Sequence, residues 1–149
     1  MSHPIIEFAK TPSEHHVQEL FEQAKAVQAR AYAPYSHFLV GAAILTPRGN
    51  IYVGCNVENA AYPVGNCAEA SAIAAMIAGG EKEILALVTI CDSAEVGTCC
   101  GGCRQRVREF AKSDTAIYAG GPDGVRAIFS MEQLLPTSFG PDNLVGFVS

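Results

Sequence analysis

The sequence predicts an α/β protein, a three-layer α/β/α sandwich around a mixed sheet of about five strands. Three observations lead there: apolar runs of strand length recur along the chain, segments with helical spacing lie between them, and two successive strand-helix-strand crossovers call for a locally parallel sheet covered by helices. At 149 residues the chain fits one domain, 1–149, large enough to bury a core without covalent staples.

The first helix is expected at Thr11-Pro12-Ser13-Glu14, with Thr11 as N-cap, Pro12 at the first helical position and Glu14 closing a capping box. Val17, Leu20, Phe21, Ala24, Val27 and Ala31 follow at three-and-four spacing, which gives one buried face and an end by Ala33-Pro34. Residues 38–45 are apolar almost throughout and too short for a helix, so they read as a buried strand. The turn Thr46-Pro47-Arg48-Gly49 brings the chain back into an antiparallel partner at 51–55.

An irregular loop is expected over 56–66. Residues 67–77 are rich in Ala, carry Ile73 and Met76 on one face and stop at Gly79-Gly80, the pattern of a helix. Residues 84–90 form a continuous apolar strand, 101–112 have helical spacing at Val107, Phe110 and Ala111, and 115–119 are again strand-like. Gly120-Gly121-Pro122-Asp123-Gly124 is a turn cluster before a last strand at 125–129, and Ser130 with Gln133 makes a capping box for a short helix before Pro136.

Composition narrows the function. The net charge is −5, and a chain with so few clustered cations is a poor partner for a polynucleotide backbone. No run approaches the roughly 18 apolar residues of a membrane span, and Met1 to Lys10 carries no secretory leader, so a cytoplasmic protein without a membrane partner is expected. Six cysteines in such a chain are expected as thiols, available as metal ligands.

Cys100-Gly101-Gly102-Cys103 is a C-x-x-C pair, which lets both thiolates reach one tetrahedral ion. The spacing alone leaves a structural zinc knuckle, a redox pair and two ordinary buried cysteines open. Cys67 also sits, like Cys100, at the start of an expected helix, where amide N–H groups and the helix dipole favour a thiolate. Three ligands would leave one position of a zinc ion free for water, the arrangement of a catalytic site. Glu69 lies in the same first helical turn as Cys67 and is a candidate proton carrier, against the plainer reading of an acidic residue favouring a helix N-terminus.

Cys67-Ala68-Glu69 followed by Cys100-Gly101-Gly102-Cys103 is similar to the zinc deaminase pattern, in which the Glu is not a ligand. With Tyr32-Ala33-Pro34-Tyr35-Ser36-His37-Phe38 and Gly54-Cys55-Asn56-Val57-Glu58-Asn59-Ala60, the chain resembles the small three-cysteine cytidine deaminases from about Tyr32 to Phe139. The resemblance implies one Zn²⁺ per subunit on Cys67, Cys100 and Cys103, with activated water attacking C4 of cytosine while Glu69 moves protons to N3 and to the departing ammonia. It implies cytidine and 2′-deoxycytidine as substrates, in pyrimidine salvage. Asn56 and Glu58 would then bind the ribose hydroxyls, Phe38 would stack on the ring, Ala68 would join the substrate-binding set, and Phe139 would reach a neighbouring subunit's site in a homotetramer.

Two positions depart from that family's pattern. Ala70 stands where an Arg commonly offsets the thiolate charge, and Cys99 stands where a Pro commonly stiffens the loop. Helix N-terminal amides, helped by Arg104, are expected to compensate for the first, and Cys99 is expected to be a spectator thiol. Cys55 and Cys91 are expected as buried thiols, and His3, His15, His16 and His37 at the surface. The rivals are a deaminase of another cytosine nucleoside such as blasticidin, a polynucleotide-editing deaminase, and a non-catalytic zinc-stabilised binding module.

Overall fold

The computed structural model describes residues 12–144. Helix α1 (Glu14–Gln28) is capped by Ser13, whose hydroxyl accepts from the His16 amide and so satisfies one donor of the first turn. This corrects the expected cap at Thr11, which lies outside the described residues, as does the 1–10 segment with His3; Pro12 precedes the cap instead of opening the helix. The helix also ends earlier than its apolar spacing suggests. The Arg30 and Ala31 amides fall back on the Val27 and Gln28 carbonyls as a tight turn, and Tyr32 leaves to bridge Val57.

Strand β1 (Val40–Leu45) pairs antiparallel with β2 (Ile51–Cys55), Gly41 opposite Cys55 and Leu45 opposite Ile51. It starts two residues after the expected Phe38, because His37 takes a left-handed backbone with φ 56° and interrupts the extended chain. Phe38 is thereby left on a loop, 46% exposed. The remaining elements are α2 (Ala68–Ala78), β3 (Ala86–Cys91), α3 (Gly101–Phe110), β4 (Ala116–Gly121), β5 (Gly124–Ser130) and α4 (Met131–Leu134). The capping box of Ser130 and Gln133 on α4 forms as expected.

The five strands lie in the order β2-β1-β3-β4-β5. Of the adjacent pairs, β3 and β4 are parallel and the rest antiparallel. The crossover β2-α2-β3 steps over β1, so these two strands run the same way without touching; the crossover β3-α3-β4 joins true neighbours. Alternation along each strand then separates two cores. Ala43, Leu45, Val88 and Ile90 pack under α1 with Leu20, Phe21 and Ala24, while Ala42, Ile44 and Leu87 pack with Ala72, Met76 and Val107 of α2 and α3. The result is the three-layer sandwich with α1 on one face and α2 and α3 on the other. No helix among the described residues is long and apolar enough to cross a membrane.

One close approach fixes where α2 begins. A Cβ on Gly54 of β2 would lie 2.3 Å from the Ala72 backbone nitrogen and 2.6 Å from the Ala68 carbonyl oxygen, so only glycine lets the helix lie this near the strand. Gly54→Ala is expected to push α2 outward and cost about 1–3 kcal/mol of stability, read as a lower melting temperature. An unchanged melting curve would mean that α2 is not held against this strand.

Candidate metal centre and active site

Cys67 and Cys100 are the N-caps of α2 and α3. Both have extended backbones, with φ of −72° and −62°, which sets each sulfur at the mouth of its helix. Cys103 stands one turn into α3 and is fully buried. The three Sγ atoms lie within 4.8 Å of one another, with Cys67 and Cys100 at 3.8 Å. That separation is far too long for a disulfide. It matches the edge of about 3.8 Å expected for a tetrahedron with zinc–sulfur bonds of about 2.3 Å. Geometry and soft donors together fit zinc.

Without an ion, burial and neighbouring negative charge disfavour thiolates at most of this site. Burial pushes the Cys103 thiol far above its usual range, and the Glu69 carboxylate with the Cys67 and Cys100 sulfurs adds to the push. Burial likewise raises Cys67. Burial also acts to raise Cys100, but there the Cys103 backbone N–H and the neighbouring thiols outweigh it and hold the group below the ordinary thiol value. A bound divalent ion would reverse the penalty for all three, since coordination deprotonates a thiol outright. Cys99 is 2% exposed and lies outside the cluster; burial first, then Glu69, keeps it a neutral thiol, as a spectator should be.

Glu69 is in the first turn of α2 and 5% exposed, and its neighbour Ala68 is fully buried. Both line a cavity of about 660 Å³ together with Cys67, Cys100, Phe38, Asn56 and Glu58. The Asn56 amide donates to the Phe38 carbonyl and accepts from the Val40 N–H, both at 2.8 Å. Glu58 accepts from the Tyr35 and Ser36 amides at 2.9 and 3.1 Å and from the Ser36 hydroxyl, and these bonds, the hydroxyl's first, hold its carboxyl below the usual range. Both side chains thus hold the loop that carries Phe38 over the cavity. Phe139 is not in this wall; it is 60% exposed, with its carbonyl accepting from Gln105 on α3.

Residues 14–119 match the model of the cytidine and deoxycytidylate deaminase zinc-binding region. The chain belongs to this family. A cytidine deaminase from Sporosarcina psychrophila is 37% identical over 128 residues, spanning 86% of this chain and 94% of the relative. Among solved structures, cytidine deaminase from Burkholderia pseudomallei superposes with a TM-score of 0.78 at 37% identity, covering 86% of this chain and 100% of that one. The enzyme from Mycobacterium tuberculosis gives 0.73 at 36%, covering 87% and 99%.

For a member of the cytidine and deoxycytidylate deaminase family, three features here went unseen in the sequence. Arg104 does not reach the ligand sulfurs as expected: its guanidinium donates to the Cys99 carbonyl at 2.9 Å, the Leu134 carbonyl at 2.8 Å and the Thr98 hydroxyl at 2.8 Å. It clamps the loop before Cys100, which supplies the stiffness a proline at position 99 would have given. Arg106, instead, brings Nη1 to 3.8 Å from Cys103 Sγ. Thr89 lines the cavity with a buried hydroxyl that has no protein partner among the described residues. Cys91 is buried as expected, Cys55 only half-buried at the end of an edge strand, and His15 and His37 are exposed with His16 half-buried.

Proposed function

We propose that this chain is a zinc-dependent hydrolytic deaminase that converts cytidine and 2′-deoxycytidine to uridine and 2′-deoxyuridine with release of ammonia, in pyrimidine salvage. The observation that carries this reading is a cluster of three sulfurs, two of them, from Cys67 and Cys100, on the wall of the cavity that the buried Glu69 also lines. Cys67, Cys100 and Cys103 hold the ion. When bound, zinc is a Lewis acid that makes water a nucleophile at neutral pH.

Glu69 carries the protons. Its carboxylate takes the proton that the water gives up as its oxygen bonds to C4, and delivers it to ring N3. A second transfer through the same carboxyl moves the proton of the new C4 hydroxyl to the 4-amino nitrogen, the C4–N bond breaks as the C4 carbonyl forms, and ammonia leaves with the water oxygen retained on the ring. Phe38 stacks on the pyrimidine, and the buried Ala68 packs beside it. Each of these roles is supported by the residue's position on the cavity wall.

Asn56 and Glu58 select the sugar. Their bonds to the Phe38 loop leave a second amide hydrogen on Asn56 and lone pairs on Glu58 for ribose hydroxyls. Asn56→Ala is expected to raise KM for cytidine by roughly 5- to 150-fold, the loss of about 1–3 kcal/mol, and to erase the preference for cytidine over its 3′-deoxy analogue. Steady-state assays with both nucleosides check this; an unchanged ratio between them would remove Asn56 from the sugar site.

A single domain, 1–149, then acts as one subunit of a homotetramer, in which Phe139 of each chain reaches a neighbour's cavity. Exposed Tyr62, Val64, Ile128 and Phe139 support an assembly that covers them. Light scattering on the purified chain is expected to report four subunits, and a monomer active at high dilution would refute this. A cytoplasmic location suits thiol ligands, which stay reduced there. Incubation with cytidine, followed by ultraviolet change and ammonia release together, tests the whole reading; zinc-loaded protein inert towards both nucleosides would refute it.

A further inference from the structure

Zinc with three thiolates keeps an excess negative charge, and the Glu69 carboxylate beside it adds another. The N-terminal amides of α2 and α3 offset part of this. Arg104, the cation next to Cys103 in sequence, is spent on the Cys99 and Leu134 carbonyls and the Thr98 hydroxyl. Among the described residues, the full positive charge that reaches one of the sulfurs is Arg106. Its side chain folds back along α3 towards the helix N-terminus, over Gly102, where an added Cβ would stand 3.5 Å from Nη1, and ends 3.8 Å from Cys103 Sγ. A cation gains nothing from the positive end of a helix, so the attraction there is the sulfur.

The space around it fits the same account. Arg106 shares a hollow between α2 and α3 with Ala70, Ala74, Gln105 and Glu109, and Ala70 forms the opposite wall one residue after Glu69. A methyl group at position 70 leaves that hollow open. The guanidinium can therefore approach the metal ligands from α3 without displacing any side chain of α2.

We propose that Arg106 is a positioning residue for the metal centre: donating to the Cys103 sulfur, it offsets the thiolate charge, tightens retention of the ion and keeps its pull on water strong. The inference rests on reading Cys67, Cys100 and Cys103 as the zinc ligands. It also means that a cation entering the hollow from the α2 wall can replace one entering from α3. Arg106 is largely exposed, so water screens the contact, and the effect belongs at the lower end of the 10- to 100-fold range for partners of metal ligands.

The test is competition of the intact protein with a chelator, beside the spectrum of the cobalt-substituted form. Arg106→Met keeps the apolar stem and removes charge and donors; it is expected to weaken zinc retention about tenfold and to shift the sulfur-to-cobalt charge-transfer band to lower energy, because the sulfur loses a hydrogen bond. Arg106→Lys should fall between, and Ala70→Arg in the Arg106→Met background should restore both readouts. Equal retention and an unmoved band in folded Arg106→Met would overturn the proposal. So would a loss that neither Lys at 106 nor Arg at 70 recovers. Wild-type protein that binds no zinc would sink the ligand assignment itself, and this inference with it.

Discussion

Replacing Glu69 by Ala is expected to lower kcat on cytidine by roughly 10²–10⁴-fold, about 3–5 kcal/mol of transition-state stabilisation, while the protein keeps its zinc. The upper end is the better expectation, because one carboxylate serves both proton relays, from water to N3 and from the C4 hydroxyl to the amine. Zinc survives because Glu69 is not among the clustered ligand atoms. Glu69→Gln makes the argument sharper, since the amide fills the same volume on a 5% exposed side chain but cannot exchange a proton. If Glu69→Gln turned over cytidine at the wild-type rate, proton transfer would have to be assigned elsewhere. Metal content and a melting curve on the same samples separate lost chemistry from lost structure.

The sequence discloses the clustered cysteines because their requirements are local. A thiolate at a helix N-terminus depends on the cap position and the first amides, both set by neighbouring residues, so Cys67 and Cys100 could be placed before any fold was known. Cys103 followed from its spacing to Cys100. The five strands were legible for a similar reason: each is a short apolar run between turn residues. What stayed hidden depends on contacts between distant segments. The left-handed turn at His37, which shortens β1 and frees Phe38, is fixed by Glu58 and Asn56 gripping residues 35–40 from across the sheet edge. Ser13 and Thr11 are both competent caps, and sequence spacing favoured the wrong one. Arg104 and Arg106 are two residues apart with the same charge; only the packing of α3 against the Cys99 loop and against α2 gives them different tasks.

Removal of the metal is the second large effect, and the two cores set its form. Stripping zinc with a chelator, or replacing Cys103 by Ala, is expected to abolish deamination and leave the α/β sandwich folded. The apolar contacts that hold the sheet rest mainly on Leu20, Phe21, Leu45 and Val88 on one face and on Ile44, Met76, Leu87 and Val107 on the other; of the three cysteines, Cys103 belongs to the second cluster and Cys67 packs against it, a small part of either core. The ion still stabilises what it binds: at a free concentration 1,000 times its Kd it would add about 4 kcal/mol, so the melting temperature should rise with zinc concentration and fall on chelation. Cys103→Ala should lose that dependence altogether, because a fully buried methyl offers no ligand and two remaining sulfurs cannot close the site. Far-ultraviolet circular dichroism before and after chelation, with activity restored by added zinc, checks both halves. Global unfolding on chelation would make the ion a structural one, and full activity in zinc-free protein would take it out of the reaction.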